Sequence, residues 1–435
     1  MTQPFIRELS PTENRLYLLN LITPHNVIFI AEFSGKLDVE ILREAIKRLQ
    51  KKHAMLSVSI ENEPSFKPKF CSLPTGTDTP LSILHDDNIQ NCWTEKTEQL
   101  LIEQLNQKGK PLFKVVQVNF GTGFYLFLVL QHLICDGKSL MALFQELLDE
   151  IDTIENQLDV SPVMHPFAPP INELFPDLCG ETTSLGPLFD NPNESKYRSL
   201  YLHIPISQRN TGFVNLTLSK REFTLVYGAC KKKQISLHAF LCACLCLMLR
   251  KNLFHFQSDL NDSVHIGCNS LIDARPFLKT PLENNILGFY SSCILADYKV
   301  DKQADIWALA RFIEDDIKRK KDSYDFIKRM KRHETFTSKF TTPEYLIESM
   351  RVDEPALSVS NLGKINLISP VKNLHLVNCN VAGSCHAHSR NQDTFFITIL
   401  SFANQLSINL HYVKPIIPRE RAEHLLTELY KILLS

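Results

Sequence analysis

Along this chain, short runs of continuous or alternating apolar residues take turns with longer stretches whose apolar positions recur every three or four residues. Val27 to Phe33 is rich in branched and aromatic residues and closes at Ser34-Gly35, which predicts a strand. Leu112 to Phe120 and Phe124 to Gln131 are apolar runs joined by Gly121-Thr122-Gly123, the pattern of a hairpin. Helices are predicted where the period changes. One starts at Asp38 and aligns Leu42, Ala45, Ile46 and Leu49. Another follows Gly137 and aligns Leu140, Leu143, Phe144, Leu147, Leu148 and Ile151. Earlier still, Ser10 precedes Pro11 and stands three residues before Glu13, a capping box with proline at the first helical position.

The pattern breaks between about Ser161 and Glu194, where Pro162, Pro166, Pro169, Pro170, Pro176, Pro187 and Pro192 prevent a regular helix. So long a segment without periodicity predicts a crossover between domains. Beyond it the mixed grammar resumes. Strands are expected at Phe213 to Leu218, Val264 to Ile272 and Leu357 to Asn361, and a hairpin at Thr394 to Tyr412 around Ala403-Asn404. Helices are expected from Ser236 to Leu249, Ala304 to Lys320 and Glu420 to Leu434. The expected organisation is an N-terminal lobe over 1–175, a linker over 176–195 and a C-terminal lobe over 196–435. The fold class is α/β, each lobe a mixed sheet flanked by helices.

Composition narrows the function classes. At 435 residues the chain exceeds one compact core, which suits two lobes. A formal net charge of −1 creates no global field toward nucleic acid or anionic lipid, so no nucleic-acid partner is expected. The longest apolar stretches, Phe124 to Leu130 and Ala239 to Leu249, fall short of the roughly 20 residues of a membrane span. No transmembrane segment is predicted, and the start Met1 to Glu8 lacks the pattern of a secretory leader. The 12 cysteines show no CxxC pair, and free thiols in a chain of this size predict a reducing, cytoplasmic setting.

The chemistry concentrates where the second hairpin strand ends. His132-Leu133-Ile134-Cys135-Asp136-Gly137 places an imidazole at the end of a buried strand, with a carboxylate four residues on. Imidazole titrates near neutrality and can take a proton from a hydroxyl or amine. Gly137 is expected to let the chain turn sharply into the next helix. The bland alternative makes Asp136 a helix N-cap and His132 a buried, hydrogen-bonded histidine. Cys135, flanked by apolar residues, reads as a core thiol rather than a nucleophile, and His53 as a packing histidine.

This HxxxDG string resembles the motif of chloramphenicol acetyltransferase, condensation domains, plant BAHD acyltransferases and mycobacterial phthiocerol dimycocerosyl transferases. Other segments agree in the same order. Leu9-Ser10-Pro11 through Leu16-Tyr17 is similar to the opening of condensation domains, and Leu42 through Leu56 to their next helix. Asp273-Ala274-Arg275 is similar to the D-x-R element of the second lobe, and Val359-Ser360-Asn361-Leu362-Gly363 to an SNLG-type segment. The resemblance implies two chloramphenicol-acetyltransferase-like lobes with a channel between them, His132 as general base, and a structural Asp136 paired with an arginine, Arg275 being the candidate. Gln131 departs from the first of two adjacent histidines in condensation domains, which favours simple ester or amide formation over peptide-bond condensation.

On this reading an acyl group passes from a thioester, acyl-CoA or acyl-pantetheine as co-substrate, to an alcohol or amine, and no bound cofactor is expected. Ser360 and Asn361 are candidate oxyanion donors, against a turn that satisfies its own backbone. Lys320 and Lys321, in the densest basic run, are candidates for the donor's phosphates, against a solvated helix face. Cys385-His386-Ala387-His388 holds three potential ligands too close together to share one tetrahedral ion, and no metal is expected. The rival functions are a catalytically inactive binding protein and a thioester hydrolase on the same scaffold.

Overall fold

A computed structural model describes residues 5–62, 67–105, 107–160, 163–176, 204–253, 263–349, 356–385 and 394–435. The elements of the first half are β1 (Phe5–Glu8), α1 (Pro11–Ile22), β2 (Asn26–Ser34), α2 (Val39–Lys52), β3 (Val58–Glu61), β4 (Lys69–Ser72), β5 (Leu81–His85), α3 (Ile89–Leu101), β6 (Phe113–Phe120), β7 (Gly123–Gln131) and α4 (Gly137–Glu155). The second half holds β8 (Asn210–Leu218), α5 (Lys220–Lys233), α6 (Leu237–Leu253), β9 (Ser263–Asp273), β10 (Ser291–Ile294), β11 (Asp297–Asp301), α7 (Ile306–Asp322), α8 (Asp325–Thr337), α9 (Pro343–Ser349), β12 (Leu357–Lys364), β13 (His375–Gly383), β14 (Phe395–Phe402), β15 (Gln405–Lys414) and α10 (Arg419–Leu434).

Two mixed sheets form the body. The first has the order β13-β2-β7-β6-β5 and the second β10-β9-β12-β14-β15-β8, with β11 also on β9. A small sheet, β1-β4-β3, stands beside them. Every residue of β7 is buried because the strand is central and covered on both faces. Phe124, Leu126, Leu128 and Leu130 join the core beneath α2 and α4, while Tyr125, Phe127 and Val129 join the core beneath α3. The predicted stripes of α2 and α4 are the buried faces of those helices. Ser10 caps α1 through the capping box with Glu13. At the β14–β15 turn, Ala403 and Asn404 both adopt left-handed backbone, with φ of 48° and 62°, the geometry of a tight two-residue hairpin turn.

Strand β13 comes from the second half but pairs antiparallel with β2 in the first sheet, Cys379 opposite Ala31 and Gly383 opposite Val27. Val377-Asn378-Cys379-Asn380-Val381 alternates apolar and polar residues, a strand pattern not among those predicted above. Helix α3 fastens the two sheets together. Glu98 on α3 accepts from the Phe213 amide at 2.8 Å and pairs with Lys414 at 2.6 Å. The predicted linker over 176–195 lies outside the described residues except for Pro176. Among the described residues no single helix is long and apolar enough to cross a membrane, and α6, the most apolar helix, supplies much of the second sheet's core.

Candidate active site

Strand β7 delivers His132 at its end. A single tight turn, His132–Ile134, separates it from Asp136 and the start of α4. The ring is half-buried. Its Nδ1 lies 2.9 Å from the backbone carbonyl of Cys135. A carbonyl only accepts, so Nδ1 carries the proton and Nε2 keeps the lone pair. The His25 ring stacks on it at 5.6 Å and the edge of Phe289 meets it at 5.1 Å, which restricts rotation. Burial pushes its pKa below the ordinary histidine range, against the Cys135 carbonyl bond and the Asp136 charge, while the Arg15 charge pushes it down further. The result is a neutral imidazole with a defined tautomer.

Asp136 fulfils both of its sequence readings at once. Its Oδ1 accepts from the amides of Lys138 and Ser139, capping α4 at 3.1 and 3.0 Å. Its Oδ2 accepts from the Arg275 guanidinium at 2.8 Å and the Tyr290 amide at 2.9 Å. Side-chain exposure in this ion pair is 2% for Arg275 and 1% for Asp136, so its charges are removed from water and must be satisfied locally. Asp273 adds a second carboxylate to Arg275 at 3.2 Å, Ser139 Oγ accepts from it at 2.6 Å, and the Tyr290 ring lies 4.8 Å from the guanidinium carbon. The expected pairing of Asp136 with Arg275, 139 residues apart, is therefore realised.

Gly137 requires a correction. Its backbone is not in the left-handed region, so the turn itself does not demand glycine. A β-carbon there would sit 2.8 Å from Leu362 Cδ2, near the end of β12, so the tip of that leucine must shift to admit one. Gly137→Ala should therefore destabilise by about 1–3 kcal/mol through overpacking, and Leu362→Ala in the same chain should recover part of that loss. Chemical denaturation of the two variants checks this.

The same contact brings the predicted SNLG-type segment beside the motif. Ser360 is half-buried on β12, opposite Thr398 of β14. Asn361 Oδ1 accepts from the Gly363 amide at 2.9 Å, and Gly363 has φ of 78°, so Asn361 makes the self-satisfying turn of its bland reading. Lys320 on α7 is engaged by Asp316 at 2.7 Å and by the Leu295 carbonyl at 2.8 Å. Lys321 is exposed, its ammonium 5.5 Å from the Phe277 ring. Cys135 is fully buried, and burial raises its thiol pKa well above the ordinary value, which keeps it a core thiol. Gln131 is fully buried, and neither of its polar side-chain atoms finds a partner among the described residues. Of the Cys385-His386-Ala387-His388 group, both histidines lie outside the described residues.

Motif reading missed Tyr290, Phe289, Ser139 and Gly288. The Gly288 carbonyl accepts from the Asp136 amide at 3.1 Å, and a β-carbon on Gly288 would strike the Tyr290 ring at 2.6 Å. Only Ser139 carried a signal, as the residue three places into the cap of α4.

Two family models match the chain in succession. Residues 6–168 match the condensation domain, and residues 207–411 match the phthiocerol/phthiodiolone dimycocerosyl transferase C-terminus. Among curated proteins, a plipastatin synthase polypeptide of Bacillus subtilis (strain 168) is 29% identical over 151 residues, 32% of this chain. The chain's match spans about 5% of that protein's length. Among solved structures, polyketide synthase associated protein 5 from Mycobacterium tuberculosis aligns with a TM-score of 0.71 at 14% identity, covering 100% of this chain and 98% of that one. Trichothecene 15-O-acetyltransferase from Fusarium sporotrichioides aligns with a TM-score of 0.72 at 11% identity, covering 98% and 95%. The expected mixed α/β, two-lobed fold is the fold of these relatives, and the matched family models support an acyltransferase.

Proposed function

We propose, from the premise that this chain is a two-lobed member of the CoA-dependent acyltransferase superfamily, that it moves an acyl group from a thioester donor to a hydroxyl or amine acceptor, with His132 as general base. The proposed lobes span 1–175 and 196–435, with β13 of the second half completing the sheet of the first. The observation that carries the reading is the His132 ring itself, neutral, half-buried and protonated on Nδ1 by its bond to the Cys135 carbonyl. That arrangement leaves Nε2 as the basic atom. In the reaction, Nε2 takes the acceptor's proton as its oxygen or nitrogen attacks the thioester carbonyl carbon. The tetrahedral intermediate then collapses, the C–S bond breaks, and the Nε2 proton passes to the departing sulfur, which leaves as the free thiol and restores the neutral imidazole.

Asp136 and Arg275 act at a distance from this chemistry by holding the 132–136 turn. Ser360 offers a hydroxyl and Asn361 its Nδ2 amide as oxyanion donors, since the Asn361 turn uses only the acceptor Oδ1. The donor is acyl-CoA or an acyl-pantetheine carrier, and the reaction as written uses no resident cofactor. Buried free thiols such as Cys242, Cys244 and Cys268 support a cytoplasmic setting.

Thiol release from acetyl-CoA and longer acyl-CoAs, measured with and without added alcohols and amines, tests the assignment. Acceptor-dependent release is expected. Release that ignores the acceptor would make the protein a hydrolase, and no release from any donor would favour a binding protein. Of the two lysines proposed for the donor's phosphates, Lys321 carries the role, since Lys320 already holds Asp316 and a carbonyl. Lys321→Gln should raise the KM for acyl-CoA up to about fivefold with kcat unchanged, and Lys320→Gln should leave that KM in place. Steady-state kinetics with varied donor separates them.

A further inference from the structure

The first half of the chain holds a second cluster of chemistry-bearing side chains that acyl transfer does not use. His53 follows the end of α2, Glu146 projects from the middle of α4, and His165 lies in the extended segment after α4. Each offers a ring nitrogen or carboxylate oxygen, and these atoms lie within 4.8 Å of one another. His53 Nε2 is 2.8 Å from Glu146 Oε2, and His165 Nε2 is 3.5 Å from Glu146 Oε1. The two imidazoles stack with centroids 4.6 Å apart. The backbone sets this placement, because His53 and His165 form an isolated β-bridge and the His165 amide donates to the Lys52 carbonyl at 2.8 Å.

The cluster is shielded and incompletely satisfied. Side-chain exposure is 1% for His53, 11% for His165 and 13% for Glu146. Among the described residues, neither the buried His165 Nε2 nor the buried His53 Nδ1 has a hydrogen-bond partner. The 3.5 Å between His165 Nε2 and Glu146 Oε1 approaches the edge of a tetrahedron with arms of about 2.0 Å, roughly 3.3 Å. Two imidazoles and one carboxylate are a ligand set that suits zinc, while calcium and magnesium prefer oxygen alone.

We infer that His53, Glu146 and His165 bind one zinc ion, which pins the segment over 163–176 to α2 and α4. Lys52 is the competitor. Its ammonium sits 2.9 Å from Glu146 Oε2, but Glu150 Oε1 lies only 4.0 Å from it and can take it over. The pinned segment also supports the catalytic half, since the Ala168 carbonyl accepts from Arg7 and the Pro169 carbonyl from the Tyr290 hydroxyl. The role is structural, so it stands or falls apart from the acyltransferase reading.

Full-length protein stripped by a chelator and titrated with zinc sulfate tests the site, with metal content measured after gel filtration. One zinc per chain is expected, with a thermal midpoint raised by about 3–6 °C when free zinc is hundredfold above Kd. His165→Ala should weaken zinc binding roughly 100-fold or more and abolish that shift, while its metal-free midpoint stays near that of the parent. Lys52→Gln should tighten zinc binding by about tenfold, because it removes the competing cation. It also decides the matter should His165→Ala fail to fold. No stoichiometric zinc on the parent protein, binding that His165→Ala leaves intact, or a Lys52→Gln affinity equal to or weaker than the parent's would overturn the assignment.

Discussion

His132→Ala is expected to lower turnover by about 10²–10⁴ while the thermal midpoint stays within a few degrees of the parent's. The loss should fall on kcat. Among the described residues the ring makes one polar contact by its own atoms, to the Cys135 carbonyl, and it is half-buried, stacked on His25 and against the edge of Phe289. Removing it therefore takes away a base and two ring contacts, a small loss to the fold. The pH profile gives a second handle. A general base works only unprotonated, so activity falls as pH drops through its pKa. Because burial and the Arg15 charge hold His132 below the ordinary histidine range, the acid limb of kcat/KM should lie below the unperturbed value of about 6.5. Thiol release measured from pH 4 to 9 checks both points. Unchanged turnover in His132→Ala would remove the proposed base, and an acid limb at or above the unperturbed value would contradict the buried, neutral ring.

The second large effect is on stability. Asp136→Asn keeps an oxygen for the α4 cap but turns an amide nitrogen toward the Arg275 guanidinium and the Tyr290 amide. Those are already donors. A buried cation then faces a donor where it had a carboxylate, and among the described residues Asp273, at 3.2 Å, is the one carboxylate left on it, beside the neutral acceptor Ser139 Oγ. Breaking one partner of such a pair costs about 3–5 kcal/mol. Arg275→Leu should cost a similar amount by stranding the Asp136 charge. The double variant Asp136→Asn/Arg275→Leu should cost clearly less than the sum, since neither charge is then left alone. Denaturant midpoints of the four proteins test the coupling. Additive losses would mean that the two side chains do not stabilise the turn together. Whatever activity the folded single variants keep should be poor, because the 132–136 turn loses its anchor and His132 its position.

Much of the architecture could be read from the chain because local elements depend on local chemistry. The α1 cap needs only Ser10, Pro11 and Glu13, and the buried faces of α2 and α4 need only their own spacing. The continuous apolar run of β7 required a strand covered on both sides, and it has one. Strand β13 alternates apolar and polar residues from Val377 to Val381, so a strand was legible there, but its partner β2 lies more than 300 residues away and local pattern does not reveal the pairing. Likewise, nothing near Gly288 or Tyr290 in sequence announces that they close around Asp136.

What the sequence by itself determined, then, is where a histidine would stand at the end of a buried strand and how the next helix would be capped. Backbone hydrogen bonding and side-chain period reach only a few residues, and within that range they suffice. The tertiary structure decided everything that depends on distant parts meeting. It ran Arg275 into the Asp136 pocket, closed Gly288 and Tyr290 around the same residue, and brought the Leu362 side chain against Gly137. It also turned His53, a packing residue by sequence, into one of three converging ligands. Burial made the difference in each case, because removing these groups from water forces every charge and lone pair to find its partner inside the protein.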